Sequence, residues 1–172
     1  MFARRGYHAA RVDDIVKAAK TSHGTFYLYF DNKEALFGAL AGEVTHHMDA
    51  LIEEFPEFGP TAAGRDELAA WLSRFADLYR SSGPVLRAWT EAEIAGERVA
   101  ELGFARSDRL VDAFAGRFRT AATPGVEPRA GATAIVAMIE RSHYYVLTEQ
   151  LDVEPQAMTA TLARVTHAAI YG

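Results

Sequence analysis

Residues 11–30 read RVDDIVKAAKTSHGTFYLYF, two short helical runs on either side of a tight turn, AAKTS. In the first run Val12, Ile15 and Val16 fall on one face at helical spacing. The second run, about 22–30, spends four of its last five positions on aromatic rings. Phe26 and Phe30 are four residues apart, so both point one way, toward the module's own core. Tyr27 and Tyr29 point elsewhere. Gly24 lies inside this run, where glycine costs on the order of 1 kcal/mol relative to alanine. A backbone that must approach a phosphate or a base edge accounts for it. Two short helices joined in this way form a helix-turn-helix signature. The second helix of such a pair packs by one face and enters the DNA major groove by another.

Charge is distributed in keeping with that reading. The 172-residue chain has a net charge of −5. Residues 1–36, however, hold Arg4, Arg5, Arg11, Lys17, Lys20 and Lys33 against Asp13, Asp14, Asp31 and Glu34, a net of +2, which leaves −7 for the rest. A mildly basic head on an acidic body suits the approach of one end to an anion. There are no cysteines, which excludes disulfides, thiol catalysis and thiolate-held metals. The most apolar window, AGATAIVAMI at 130–139, is far shorter than the roughly 18–20 residues of a membrane span. The start, MFARRGYHAA, lacks the apolar run of a signal peptide. A soluble, cytoplasmic protein without membrane association is expected.

The remainder reads as helix, with apolar residues at three- and four-residue spacing and no alternating β-branched runs. In DNKEALFGALAGEVTHHMDALIEEF, residues 31–55, Asp31 or Asn32 serves as N-cap and Glu34 occupies the first turn. PEFGPTAAG at 56–64 breaks the chain. Helices are expected at about 65–81, from Pro84 to about 95, near 99–122, and finally at about 129–150 and 155–170. The fold class is therefore all-α, with a DNA-binding head at 1–45 and a helical body at 46–172.

Residues 2–40, FARRGYHAARVDDIVKAAKTSHGTFYLYFDNKEALFGAL, resemble the tetracycline-repressor-like (TetR) family of transcriptional regulators. The resemblance rests on Phe2, Gly6-Tyr7, Asp14-Ile15-Val16, Ser22-x-Gly24-Thr25-Phe26-Tyr27, Tyr29-Phe30 and Lys33-Glu34-x-Leu36-Phe37. It implies a ligand-responsive, homodimeric DNA-binding regulator, most commonly a repressor, with no enzymatic activity and no cofactor. It also implies roles for single residues. Ser22, His23, Gly24 and Tyr27 would lie near base edges and flanking phosphates, with His23 the main reader of sequence. Thr25 and Tyr29 would bond phosphates, Leu28 would touch a thymine methyl, and Lys33 and Arg11 would meet the backbone.

Three features depart from the family pattern. Ala10 stands where a threonine often caps the second helix, forfeiting roughly 1 kcal/mol. Lys20 stands where the turn often has glycine, so it either adopts a strained positive φ or avoids one. Only Met1 to Arg5 precede the Gly-Tyr pair, where the family has a helix of about four turns, so the natural chain is expected to begin further upstream.

In the body, Trp71, Phe75, Tyr79, Trp89, Phe104, Phe114, Phe118, Tyr144 and Tyr145 supply aromatic surface. Glu91, Glu93, Arg106, Glu140, Arg141 and His143 supply polar groups in the same helices. The effector pocket is expected to draw on Trp71, Phe75, Tyr79, Trp89 and Glu93, and on Phe114, Phe118, Met138, Arg141 and Tyr145. The effector itself is left open, as is a DNA-binding regulator without one. The last two helices are the expected dimer interface. There Ile135, Val136, Met138 and Ile139 offer more apolar faces than one neighbour needs, and Leu162, Val165, Ala169 and Tyr171 continue the pattern. Two such helices from each subunit would set the heads on a near-palindromic operator. A di-iron carboxylate bundle is the competing class: Glu43-x-x-His46 and Glu140-x-x-His143 each match its motif, and Glu53, Glu54, Glu91 or Glu93 would complete it.

Overall fold

The computed structural model describes residues 7–83, 85, 86 and 97–172. The expected helix from Pro84 to about 95 lies outside them, as do Trp89, Glu91, Glu93 and the side chains of Phe104 and Arg106. The described residues are helical, without strands. In chain order they form α1 (Val12–Ala18), α2 (His23–Tyr29), α3 (Lys33–Glu53), α4 (Ala62–Ser81), α5 (Glu97–Ala121), α6 (Pro128–Leu147) and α7 (Pro155–Tyr171). They group into two compact units. One comprises Met1–His47 with Ser81–Phe104, the other Met48–Arg80 with Ala105–Gly172.

In the first unit, Ala10, Phe37 and Ala41 are buried together, with Tyr7, Ile15, Leu36, Leu40 and Val85 packed around them. The N-cap of α1 is Arg11, whose carbonyl accepts from the N–H of Asp14 and of Ile15 at 3.1 Å. This corrects the expectation for Ala10. That residue is 2% exposed, so its small methyl serves packing, and a cap one residue later goes unused because Arg11 makes no side-chain cap bond.

The turn after α1 is closed by Lys20 N–H on Lys17 O at 3.3 Å and Thr21 N–H on Val16 O at 2.9 Å. That pairing is a Schellman motif, and its left-handed position is Lys20 at φ 53°. The strained alternative is therefore the one adopted. Ser22 then caps α2, its hydroxyl accepting from Thr25 N–H at 3.1 Å. Asn32 caps α3, accepting from Ala35 N–H at 2.7 Å.

In the second unit, Trp71 donates its indole N–H to Leu51 O at 2.9 Å. Its ring lies 5.1 Å from that of Phe55, which in turn lies 4.7 Å from Phe114. α4 begins at Ala62, three residues before its expected start, because Thr61 caps it by accepting from Gly64 N–H at 3.1 Å. The Glu127 carboxylate caps α6, and the N–H groups of Arg129 and Ala130 hold it below the ordinary carboxylate range. α6 ends at Leu147, short of the expected 150. A second Schellman turn stops it there, with Glu149 at φ 54° and Gln150 N–H on Tyr145 O at 3.0 Å. α7 is tied by Tyr171 O–H to Phe58 O at 2.7 Å, and Thr123 O–H donates to Ile170 O at 2.6 Å.

Candidate functional site

Helix α2 has one anchor and a broad free face. Phe26 is 5% exposed, whereas Tyr27, Leu28 and Tyr29 are 55%, 76% and 72% exposed. Burying such side chains is worth roughly 1.5–3 kcal/mol each, so three adjacent ones left in water mark a contact surface. Gly24 is exposed, and a methyl group added there would meet only Ser22 Oγ, at 3.7 Å. Among the described residues nothing requires a glycine at this position.

The remaining head residues divide between contact and support. Ser22 and Thr25 bond one another, hydroxyl to hydroxyl at 2.9 Å, besides forming the cap. His23 donates from Nε2 to Asp13 Oδ1 at 2.6 Å. The carboxylate can only accept, so the bond fixes the Nε2-protonated tautomer and leaves Nδ1 for another partner. Asp13 escaped the sequence reading, because its partner lies ten residues on, across the turn. Arg11 is exposed. Lys33 is partly buried, donating to Tyr7 O at 3.0 Å, with its ammonium 4.6 Å from the centre of the Tyr7 ring. It therefore ties the segment before α1 to the start of α3.

In the second unit, a cleft of about 210 Å³ is lined by Ala76, Tyr79 and Arg80 of α4, His143 and Val146 of α6, Glu149, and Pro155 and Met158 of α7. Of the side chains expected in an effector pocket, Tyr79 lines it. Trp71, Phe75, Phe114 and Phe118 are at most 3% exposed, and the first three interlock as core. Met138 and Tyr145 are half-buried, and exposed Arg141 lies over the rings of Tyr144 and Tyr145 at 5.5 and 5.6 Å. Trp89 and Glu93 fall outside the described residues.

A model of bacterial regulatory proteins of the tetR family matches residues 1–40. The HTH-type transcriptional regulator EthR of Mycobacterium tuberculosis is 30% identical over 170 residues, covering 94% of this chain and 77% of EthR. The chain belongs to the TetR family. Solved structures of other proteins share its fold. FadR from Bacillus subtilis, in complex with stearoyl-CoA, gives a TM-score of 0.72 at 21% identity, covering 98% of this chain and 93% of FadR. A gamma-butyrolactone receptor (ArpA-like protein) gives 0.63 at 22% identity, covering 97% and 90%. At these identities the likeness is one of fold.

As a TetR-family protein the chain is a DNA-binding transcriptional regulator rather than an enzyme. Such regulators bind small-molecule effectors and usually act as dimers. The di-iron reading has no support among the described residues, and Glu91 and Glu93, two of its possible ligands, lie outside them. Among the described residues no three His, Asp or Glu side chains converge on a point that would hold a metal. Glu53 pairs with Arg109, Glu54 with Arg74, and His143 Nδ1 is taken by Ile139 O. No described helix is long and apolar enough to cross a membrane.

Proposed function

We propose that the chain is a repressor that binds a near-palindromic operator as a homodimer and is released by a small molecule. The exposed run Tyr27-Leu28-Tyr29, on a helix whose one buried side chain is Phe26, carries this reading. These three, with Arg11, His23, Gly24 and Thr25, form the DNA surface. Ser22 and Lys33 contribute mainly by holding that surface in place.

The dimer forms through α6 and α7. Ile135, Val136, Ile139 and Leu162 are buried within the protomer, which corrects their expected place at the interface. Gly131 likewise faces inward, since a methyl group there would lie 2.7 Å from Val126 and 3.0 Å from Phe118. The faces left to a partner are Ala134 and Ala137 of α6, and Val165, Ala168 and Ala169 of α7. Val165 is 46% exposed. Two heads must meet major grooves about 34–36 Å apart. An effector that prefers another separation lowers operator affinity by its differential binding free energy. The ligands of FadR and of the butyrolactone receptor are chemically unlike, so neither is transferred to this chain.

Leu28→Ala with Tyr29→Ala tests the surface. Stability changes by no more than about 0.5 kcal/mol per exposed site, while affinity for a duplex selected in vitro falls at least about tenfold in a gel shift. Unchanged affinity refutes the assignment. Val165→Glu tests the dimer: sedimentation should shift to the monomer, and a persistent dimer places the interface elsewhere.

A further inference from the structure

His143 is a buried base whose lone pair has no partner among the described residues. It is 6% exposed. Its Nδ1 lies 2.7 Å from Ile139 O, and a carbonyl only accepts, so Nδ1 carries the proton and Nε2 the lone pair. Nε2 is buried and has no hydrogen-bond partner among the described residues. Burial disfavours the imidazolium by more than the Ile139 bond favours it, so the ring stays neutral. A buried acceptor left unpaired is a standing free-energy cost that few native groups carry.

The same ring lines the cleft between the ends of α4 and α6 and the start of α7. The other lining groups are apolar apart from Tyr79's hydroxyl and exposed Arg80 and Glu149. Arg80 is already paired with Asp77 at 2.7 Å. An apolar cavity of about 150 Å³ admits benzene, so 210 Å³ has room for one substituted ring. The Tyr79 ring and the Met158 thioether are favourable neighbours for such a ring.

We infer that this cleft binds a compact, uncharged molecule with an apolar body and one hydrogen-bond donor, of the phenol or small-alcohol class, and that a small side-chain movement in its wall on binding lets the buried His143 Nε2 accept the donor. A carboxylate is rejected, because it would bring a second lone pair against Nε2 in an apolar wall. The inference deepens the effector-binding part of the proposed function and rests on it. It commits that function to one site and one ligand chemistry.

Phenol, anisole and benzoate serve as probes on the intact protein, by calorimetric titration and thermal shift. Phenol is expected to bind saturably and roughly tenfold more tightly than anisole, which keeps the ring but loses the donor. Benzoate is expected not to bind. In His143→Phe the preference for phenol over anisole should fall to about one, and His143→Gln, which restores an acceptor, should recover part of it. Ala76→Leu, which fills the cleft wall, should weaken both probes. If His143→Phe does not fold, the three probes on the native protein and on Ala76→Leu still decide. Absent phenol binding, equal affinity for phenol and anisole, or benzoate binding as tight as phenol each overturns the inference. Release of a selected DNA duplex is measured in parallel. Phenol binding that depends on His143 but releases no DNA upholds the site and refutes the effector role. Release unaffected by His143→Phe refutes the site and upholds the role.

Discussion

At the scale of single residues, Gly24 separates folding from binding. No described neighbour crowds its missing side chain, and alanine is the better helix former by about 1 kcal/mol. Gly24→Ala should therefore raise the unfolding free energy by up to about 1 kcal/mol in urea while lowering affinity for DNA; a variant that binds as well as the native protein removes the close-approach argument. Lys20 presents the opposite conflict. A non-glycine residue in the left-handed region costs about 1–2 kcal/mol, so Lys20→Gly should stabilise the head by about 1 kcal/mol in thermal unfolding. It also removes a cation from the turn before α2, so DNA binding should become less steeply dependent on salt. The helix-turn-helix and the inward Phe26 were legible in the sequence because they depend on spacing alone; Phe30, expected inward beside it, is only half-buried, because the chain leaves the helix there with extended backbone. The Asp13–His23 bond was not, because it depends on the path of a turn set by Lys20's φ.

At the scale of elements, helix ends are fixed by specific side chains, and these explain where periodicity misjudged them. α2 has seven residues, too few to be stable alone, so its Ser22 cap matters more than in a long helix. Ser22→Ala should cost about 1 kcal/mol and weaken DNA binding through loss of helix order. Restoring the lost affinity with a helix-stabilising Gly24→Ala is not expected, since that change removes the close approach. Lys33→Ala loses the tie to Tyr7 O. It should therefore lower the melting temperature as well as the affinity, whereas a pure phosphate contact would lower only the affinity. The apolar run at 135–139 shows why the interface was only half legible. Periodicity identifies a face that avoids water, yet it does not say whether the covering comes from the same protomer or from another.

At the scale of the whole molecule, the all-α class and the basic head were readable from pattern and charge, but the cleft was not. It is assembled from residues near 79, 143, 149 and 158, and only the fold brings such distant positions together. Its histidine also makes stability depend on acidity. The proton affinity of His143 is lowered in the folded state from the ordinary value near 6.5. On acidification the unfolded chain takes up the proton first. The stability contribution is therefore complete above 6.5 and is lost as pH falls from there toward the folded value. Melting temperature should decline as pH falls below about 6.5, and His143→Gln should flatten that decline. A slope unchanged in the variant assigns the acid sensitivity to other groups. Among the described residues, finally, three helix ends turn on non-glycine residues with positive φ: Lys20, Ala122 and Glu149. Selection preserves function above a stability threshold and does not seek the optimum. Ala122 and Glu149 are thus unspent margin, two positions where glycine offers thermal tolerance, and so a buffer for otherwise destabilising substitutions elsewhere in the chain, without touching the DNA surface.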